Sequence, residues 1–425
     1  MDTNIGAKER VTQNRLIGLF KNVLKYTYLG NWETREDNAN IEEKLLTAYL
    51  SRRGYTDKEI RSSIVKLKQS ANSLGGGLYN ANKEVYTFLR YGVNIQAEVT
   101  EKKKMVHLID WANPMENDFQ IAEEVTIQGA SDRRPDLVVY VNGIALAVIE
   151  LKRSTVSAHE GIRQNIRNQQ DGYIPRFFTT IQLLFAGNDT EGLHYGVIKT
   201  PEKFWLRWKE PCGEPCQPSH FTAKEYPNEL DRSVLQFFEP VRLLEYIHDF
   251  IIFDGGIKKT ARPNQYFAVK AAQPRVRKKQ NGIIWHSQGS GKSLTMVWLA
   301  QWIRENVSDA RVVIITDRDE LDKQIESGFK DVGEQIQRAK SGGKLIEMLN
   351  AAEPWLICTL IHKFGNKNDS DAISVGNKKA SKSLDLYLEE LAKSLPADFC
   401  AKGNIYVFID ECHRTQGGML HEAMK

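Results

Sequence analysis

Two groups of residues in this chain have the types and spacing for phosphate chemistry. The first is Asp136, Glu150, Leu151 and Lys152. Two carboxylates and a main-chain carbonyl are hard oxygen ligands for a divalent cation such as Mg2+, and an ammonium beside them can orient water or offset charge on a phosphate under attack. The second is Gly289-Ser290-Gly291-Lys292-Ser293, which follows the apolar run Ile283-Ile284-Trp285 and opens a helix beginning Ser293-Leu294-Thr295-Met296. Glycines at 289 and 291 let main-chain N–H groups converge on an anion, and the helix start adds its positive end. Lys292 supplies a charge for terminal phosphates, and Ser293 would hold Mg2+. His286 stands where the general phosphate-loop pattern has its first glycine, so only the second half of that pattern is intact. Hydrolysis also needs an acidic site. The apolar run Ile405-Tyr406-Val407-Phe408-Ile409 delivers Asp410 and Glu411 to its tip, the first to bind Mg2+ and the second to take the proton of an attacking water.

The elements that must position the first group form a hairpin. Residues 137–141 and 144–151 are apolar strands joined at Asn142-Gly143, with the charges at the open end. Glu150 and Lys152, two apart, share a face. For Asp136 to join them, opposed residue numbers must have an even sum, which a two-residue turn at Asn142-Gly143 cannot give. The sequence therefore predicts either a three-residue loop, Val141-Asn142-Gly143 with Gly143 left-handed, or a bulge that corrects the register. The next helix is expected to carry Gln169 and Tyr173 one turn apart, both toward the same phosphate or base.

Around these groups the pattern is α/β. Apolar residues recur at helical spacing to about residue 75, then short strand-like runs continue to residue 186, which predicts a mixed sheet. Residues 201–255 are aromatic and proline-rich; Trp205 and Trp208 there are expected to pack rather than stack on bases. Beyond them, strand and helix alternate, which argues for a parallel, doubly wound sheet with residues 282–285 as the strand ahead of the phosphate loop. The expected division is 1–200 for the helical region and first α/β domain, 201–255 for a connecting segment, and 256–425 for the second α/β domain.

Composition excludes little else. Lys and Arg number 58 against 54 Asp and Glu, and a net charge of +4 is too slight to argue for a nucleic-acid partner by itself. No apolar run reaches membrane-spanning length and the N-terminus lacks an export signature, so a cytoplasmic protein without a membrane partner is expected. Five cysteines, an odd count, suggest reduced thiols. Cys212 and Cys216, with His220, have the spacing of half a zinc site, but no second pair follows and a plain loop is expected.

Several stretches resemble known motifs. Asp410-Glu411-Cys412-His413 resembles motif II of superfamily 2 helicases and translocases. Gln265, in Pro263-Asn264-Gln265-Tyr266-Phe267, resembles the glutamine of an adenine-reading Q motif, whose amide offers the donor and acceptor that adenine requires. The run from Val312 to Leu321 resembles motif Ia, and that from Ile357 to Phe364 the strand-end motif that follows it. Pro135-Asp136 with Glu150-Leu151-Lys152 resembles the PD-(D/E)xK nucleases, and Gln169 with Tyr173 the Gln-x-x-x-Tyr signature of a subset of them.

With both centres in this order, nearly the whole chain resembles the restriction (R) subunit of type I restriction-modification enzymes. Tyr28-Leu29-Gly30-Asn31-Trp32 and Asn40-Ile41-Glu42 resemble the group typified by EcoR124I. The resemblance implies a PD-(D/E)xK nuclease domain followed by a RecA-like ATPase domain, with ATP and Mg2+ as cofactors and double-stranded DNA as substrate. It implies methyltransferase and specificity subunits as partners, ATP-driven translocation, and cleavage of unmodified DNA away from the recognition sequence. Glu42 is a candidate for a further nuclease carboxylate. Such motors need a second RecA-like domain, and this sequence stops at Lys425; the expectation is a fragment that folds but does not translocate. Two other readings stay open: an ATP-dependent repair nuclease-helicase, distinguished by cutting from DNA ends, and a nucleotide-gated DNA-binding subunit without catalysis.

Overall fold

The computed structural model describes residues 9–96, 103–211, 220–316, 336–339, 342–360 and 400–410. Glu411, Cys212, Cys216, and the later residues of the two strand-end motifs (317–321 and 361–364) lie outside the described residues. The chain divides into two compact units, Met1–Phe267 and Ala268–Lys425.

In the first unit, helix α1 (Glu9–Asn22) leads into strand β1 (Thr27–Asn31), followed by helices α2 (Glu43–Arg52), α3 (Asp57–Asn72) and α4 (Gly77–Tyr91). Thr56 and Glu59 cap α3 reciprocally, side chain to main chain in both directions. A small ladder of β2 (Val93–Ile95) and β3 (Lys104–Val106) precedes the main sheet strands β4 (Phe119–Glu123), β5 (Leu137–Val141) and β6 (Ile144–Leu151). Helix α5 (Ala158–Asn168) then crosses to β7 (Leu183–Asn188), β8 (Gly192–Gly196) and β9 (Leu206–Arg207). The order is β1-β4-β5-β6-β7-β8-β9, with β1–β4 and β6–β7 parallel and the other pairs antiparallel. Every residue of β5 and β6 is buried, as continuous apolar strands at the middle of a doubly covered sheet must be.

Residues 201–255 add β9 to the sheet edge and contribute helices α6 (Glu229–Phe238) and α7 (Pro240–Asp249). The aromatic side chains there form a core. Trp208 is fully buried, with the rings of Phe237, Tyr266 and Tyr246 centred 4.7, 5.8 and 6.0 Å away. Burial of one such ring contributes about 1.5–3 kcal/mol, which is why this tryptophan packs. A hairpin of β10 (Ile251–Asp254) and β11 (Ile257–Thr260) follows. It is anchored by the buried Lys258, whose ammonium donates to Asn82 Oδ1 at 2.8 Å and Gln182 Oε1 at 2.6 Å. Helix α8 (Pro263–Arg277) begins in this unit.

The second unit contains α9 (Lys292–Asn306), β12 (Ala310–Thr316), β13 (Gln337–Arg338), α10 (Gly342–Asn350), β14 (Leu356–Leu360) and β15 (Asn404–Ile409). The strands form a parallel sheet in the order β13-β14-β12-β15. Arg311, at the start of β12, is buried and donates to the carbonyls of Met348, Leu349, Ala351, Pro354 and Lys402, closing the C-terminal end of α10.

One expected strand is corrected. Residues 282–285 have no regular structure, and Trp285 is 86% exposed. An apolar run becomes a strand only where a neighbour satisfies its main-chain groups, and among the described residues no strand pairs with it.

Candidate active sites

The first site is assembled by sheet register. Asn142 (φ 54°) and Gly143 (φ 79°) form a two-residue turn with both residues left-handed. Asn142 suits it because its side chain is used: Oδ1 accepts from the Asp118 N–H at 2.7 Å, and Nδ2 donates to the Leu108 carbonyl at 2.9 Å. A Cβ on Gly143 would lie 2.7 Å from Leu45 Cβ and 2.8 Å from the Glu42 carbonyl oxygen. From the turn, Val141 opposes Ile144 and Tyr140 opposes Ala145; then the register shifts, and Val139 opposes Ala147 and Leu137 opposes Ile149. Leu146 is the extra residue. Of the two solutions that the sequence allowed, the molecule uses the bulge rather than the three-residue loop. The corrected register carries Asp136 opposite Glu150, and Asp136 Oδ2 accepts the Leu151 N–H at 2.6 Å.

Helix α5 lies directly over Glu150. A Cβ on Gly161 would stand 3.3 Å from Glu150 Cβ and 3.1 Å from Ala186 Cβ, so glycine sets the approach. Gln164, one turn further on, donates from Nε2 to Glu150 Oε2 at 2.7 Å. Glu150 is fully buried, and its other oxygen, Oε1, has no hydrogen-bond partner. Lys152 Nζ donates to the Leu151 carbonyl at 2.7 Å, lies 3.1 Å from Glu9 Oε1, and is 4.0 Å from Asp136 Oδ2.

These distances set the electrostatics. Burial pushes the Asp136 carboxyl up to about 6, with Glu9 and Glu124 adding and Lys152 and the Leu151 N–H opposing. Burial drives Glu150 well above the usual carboxylate range, and the nearby Asp136 drives it in the same direction. For Lys152, burial works downward, but Asp136, Glu150 and Glu9 outweigh it and the ammonium is held above its usual value. Two desolvated carboxyls and one oxygen without a donor are the condition in which a divalent cation is the natural partner. The hard oxygen set of Asp136, Glu150 and the Leu151 carbonyl fits Mg2+.

Three expectations about this region are corrected. The helix expected to carry Gln169 and Tyr173 ends at Asn168, because the Asp171-Gly172 turn and Pro175 follow at once. Gln169 instead closes the end of α5, donating to the Asn165 carbonyl and accepting the Lys199 N–H, while the Tyr173 ring lies 4.2 Å from the Arg133 guanidinium carbon. Glu42 sits at the turn end of the hairpin, its N–H on the Gly143 carbonyl and its carboxylate on Arg35 at 2.6 Å, a strand's length from Asp136. The residues that sequence reasoning missed are Gln164, Glu9 and Gln13. Gln164 follows Gly161 by three, so the face of α5 that must lie closest to the sheet would have indicated it. Gln13 joins α1 to the site by donating to Glu123 and Glu124, each at 3.0 Å; nothing local to α1 signals that contact.

The second site is local. Gly289 (φ 77°) and Gly291 (φ 86°) take left-handed conformations, and Gly291 is the residue immediately before α9. Ser290 turns back on the Ser287 carbonyl with both its N–H, at 3.3 Å, and its hydroxyl, at 2.6 Å. Lys292 and Ser293 are therefore the first two residues of α9, at its positive end. Asp410 follows β15, is buried, and donates its N–H to the Ile315 carbonyl at the end of β12. Gln265, expected to read adenine, belongs to the first unit: it lies in the first turn of α8, buried, with Oε1 accepting the Arg262 N–H at 2.8 Å.

Comparison with known proteins matches two family models. The N-terminal region of type I restriction enzyme R proteins matches residues 7–203, and the SWI2/SNF2 ATPase matches residues 264–425. Among curated relatives, a putative type I restriction enzyme MjaIXP endonuclease subunit from Methanocaldococcus jannaschii is 26% identical, over 98% of this chain and 41% of that protein. The HindI endonuclease subunit of Haemophilus influenzae is 26% identical, over 83% of this chain and 33% of that protein. The SsaAORF53P endonuclease subunit of Staphylococcus saprophyticus is 25% identical, over 76% and 32% respectively. The chain thus spans well under half the length of these relatives. The part that matches the R-protein N-terminal model carries the buried carboxylates, and the part that matches the SWI2/SNF2 ATPase model carries the phosphate loop.

Proposed function

We propose that this chain supplies the nuclease centre and the nucleotide-binding part of the motor in a type I restriction enzyme. In this reading it works with methyltransferase and specificity subunits on double-stranded DNA. ATP hydrolysis drives translocation, and unmodified DNA is cut away from the recognition sequence. The observation that carries the nuclease half is the bulge at Leu146, which puts Asp136 opposite Glu150 with Lys152 4.0 Å away.

Asp136, Glu150 and the Leu151 carbonyl would hold Mg2+, whose contribution when bound is to polarise the scissile phosphate and acidify a water. The chain's own residues do the rest. Gln164 fixes one oxygen of Glu150, so the other is presented in one direction. Lys152, kept charged by its carboxylate neighbours, faces the phosphate and offsets the charge that builds up on its oxygens. In the second unit, Gly289, Ser290, Gly291 and Lys292 would cradle the triphosphate of ATP. Ser293 and Asp410 would hold its Mg2+, and Glu411 would accept a proton from water.

The test is a pair of substitutions in the complete enzyme with its partner subunits. Lys152→Ala should abolish cutting of unmodified circular DNA and leave DNA-stimulated ATP hydrolysis intact. Lys292→Ala should abolish both, because cutting depends on translocation. Undiminished cutting by Lys152→Ala would refute the nuclease assignment.

A further inference from the structure

Lys152 shares an oxygen with the proposed metal site. Its ammonium donates to the Leu151 carbonyl at 2.7 Å, the main-chain ligand of the proposed metal site, and stands 4.0 Å from Asp136. The lysine side chain is only 14% exposed, so it cannot simply leave for water when a cation takes over these oxygens. A largely desolvated ammonium stripped of its partners is costly. A further acceptor is Glu9 Oε1, at 3.1 Å, from the first residue of α1.

That carboxylate is held in place by its helix. One turn along, Gln13 donates to Glu123 and Glu124, and Arg10 pairs with both. The first turn of α1 is thereby fixed against the end of β4 and the residue that follows it.

We propose that Glu9 is a positioning residue for Lys152. The Lys152 ammonium is shared between the Leu151 carbonyl and Glu9. Were a divalent cation to take the carbonyl, Glu9 would keep the ammonium beside the site. Neither Glu9 nor this exchange follows from the motif that carries Asp136, Glu150 and Lys152. The inference rests on the metal-site reading given above.

Mn2+ binding to the nucleotide-free full chain tests it, measured by the loss of the free-ion electron paramagnetic resonance signal. Glu9→Gln should weaken Mn2+ binding about tenfold while Lys152 is present and no more than about twofold in a Lys152→Met background, where no ammonium needs a second place. Glu9→Asp should restore part of the affinity. An equal loss in both backgrounds would make Glu9 a metal ligand or a structural residue and overturn the proposal, as would unchanged affinity in Glu9→Gln. Asp136→Asn serves as the control for the underlying reading: unchanged Mn2+ binding there would overturn the metal site itself, whatever Glu9 does.

Discussion

In the first unit, the groups that make the site come from two strands, a crossing helix and the first turn of α1, and they meet only because one residue of β6 is extra. In the second unit, residues 289–293 are one contiguous turn whose shape is set by two glycines. The nuclease group is therefore a product of tertiary structure, with buried carboxyls driven far from their solution values. The phosphate loop is a product of local conformation and is partly exposed. Sites of the first kind should be sensitive to distant packing; sites of the second kind should answer chiefly to changes within the loop and to the sheet that supports it.

The largest expected effect probes that supporting sheet. Arg311→Met removes donors from five carbonyl groups, at the end of α10 and ahead of β14 and β15, and should cost about 2–4 kcal/mol. Hydrogen exchange should accelerate in β12, β14 and α10 while β5 and β6 keep their protection. A uniform loss across both units would show that they unfold together and that the contrast drawn here is too sharp.

A smaller effect is expected from the first unit. Gly161→Val places branched carbon against Ala186 and Glu150 and should cost about 1–3 kcal/mol through overpacking. The informative readout is functional. By lifting α5, the substitution separates Gln164 from Glu150 and should reduce DNA cutting more than an equally destabilising change elsewhere in the unit. Cutting that merely tracks the lost stability would mean that the helix only covers the carboxylate.

What was legible in the sequence follows the same division. The glycines at 289 and 291 and the start of α9 could be read from the loop alone, because each requirement is met within a few residues. The hairpin was nearly as open to reading. The alternation parity of Asp136, Glu150 and Lys152 demanded an even register sum, which a plain two-residue turn at Asn142-Gly143 cannot give, so a bulge was one of two ways to meet it. Its place at Leu146 was not legible. Gln169 and Tyr173 were misplaced because motif spacing was given more weight than the helix-ending signals Asp171-Gly172 and Pro175. Glu9 and Gln13 were invisible, since their partners lie more than a hundred residues away across the sheet. The run at 283–285 shows the converse failure: apolar character predicts burial only when a partner strand is at hand.

The central claim is that sheet register builds a divalent-cation site from Asp136 and Glu150, and a Mn2+ titration of the nucleotide-free chain across pH tests it most directly. The Asp136 carboxyl, pushed up to about 6, must be ionised to bind a cation. Affinity should therefore rise as pH increases through about 6, and go on rising above it because Glu150 is shifted further still. Asp136→Asn and Glu150→Gln should each remove both the tight binding and most of its pH dependence. Tight, pH-independent Mn2+ binding that survives both substitutions would contradict the account.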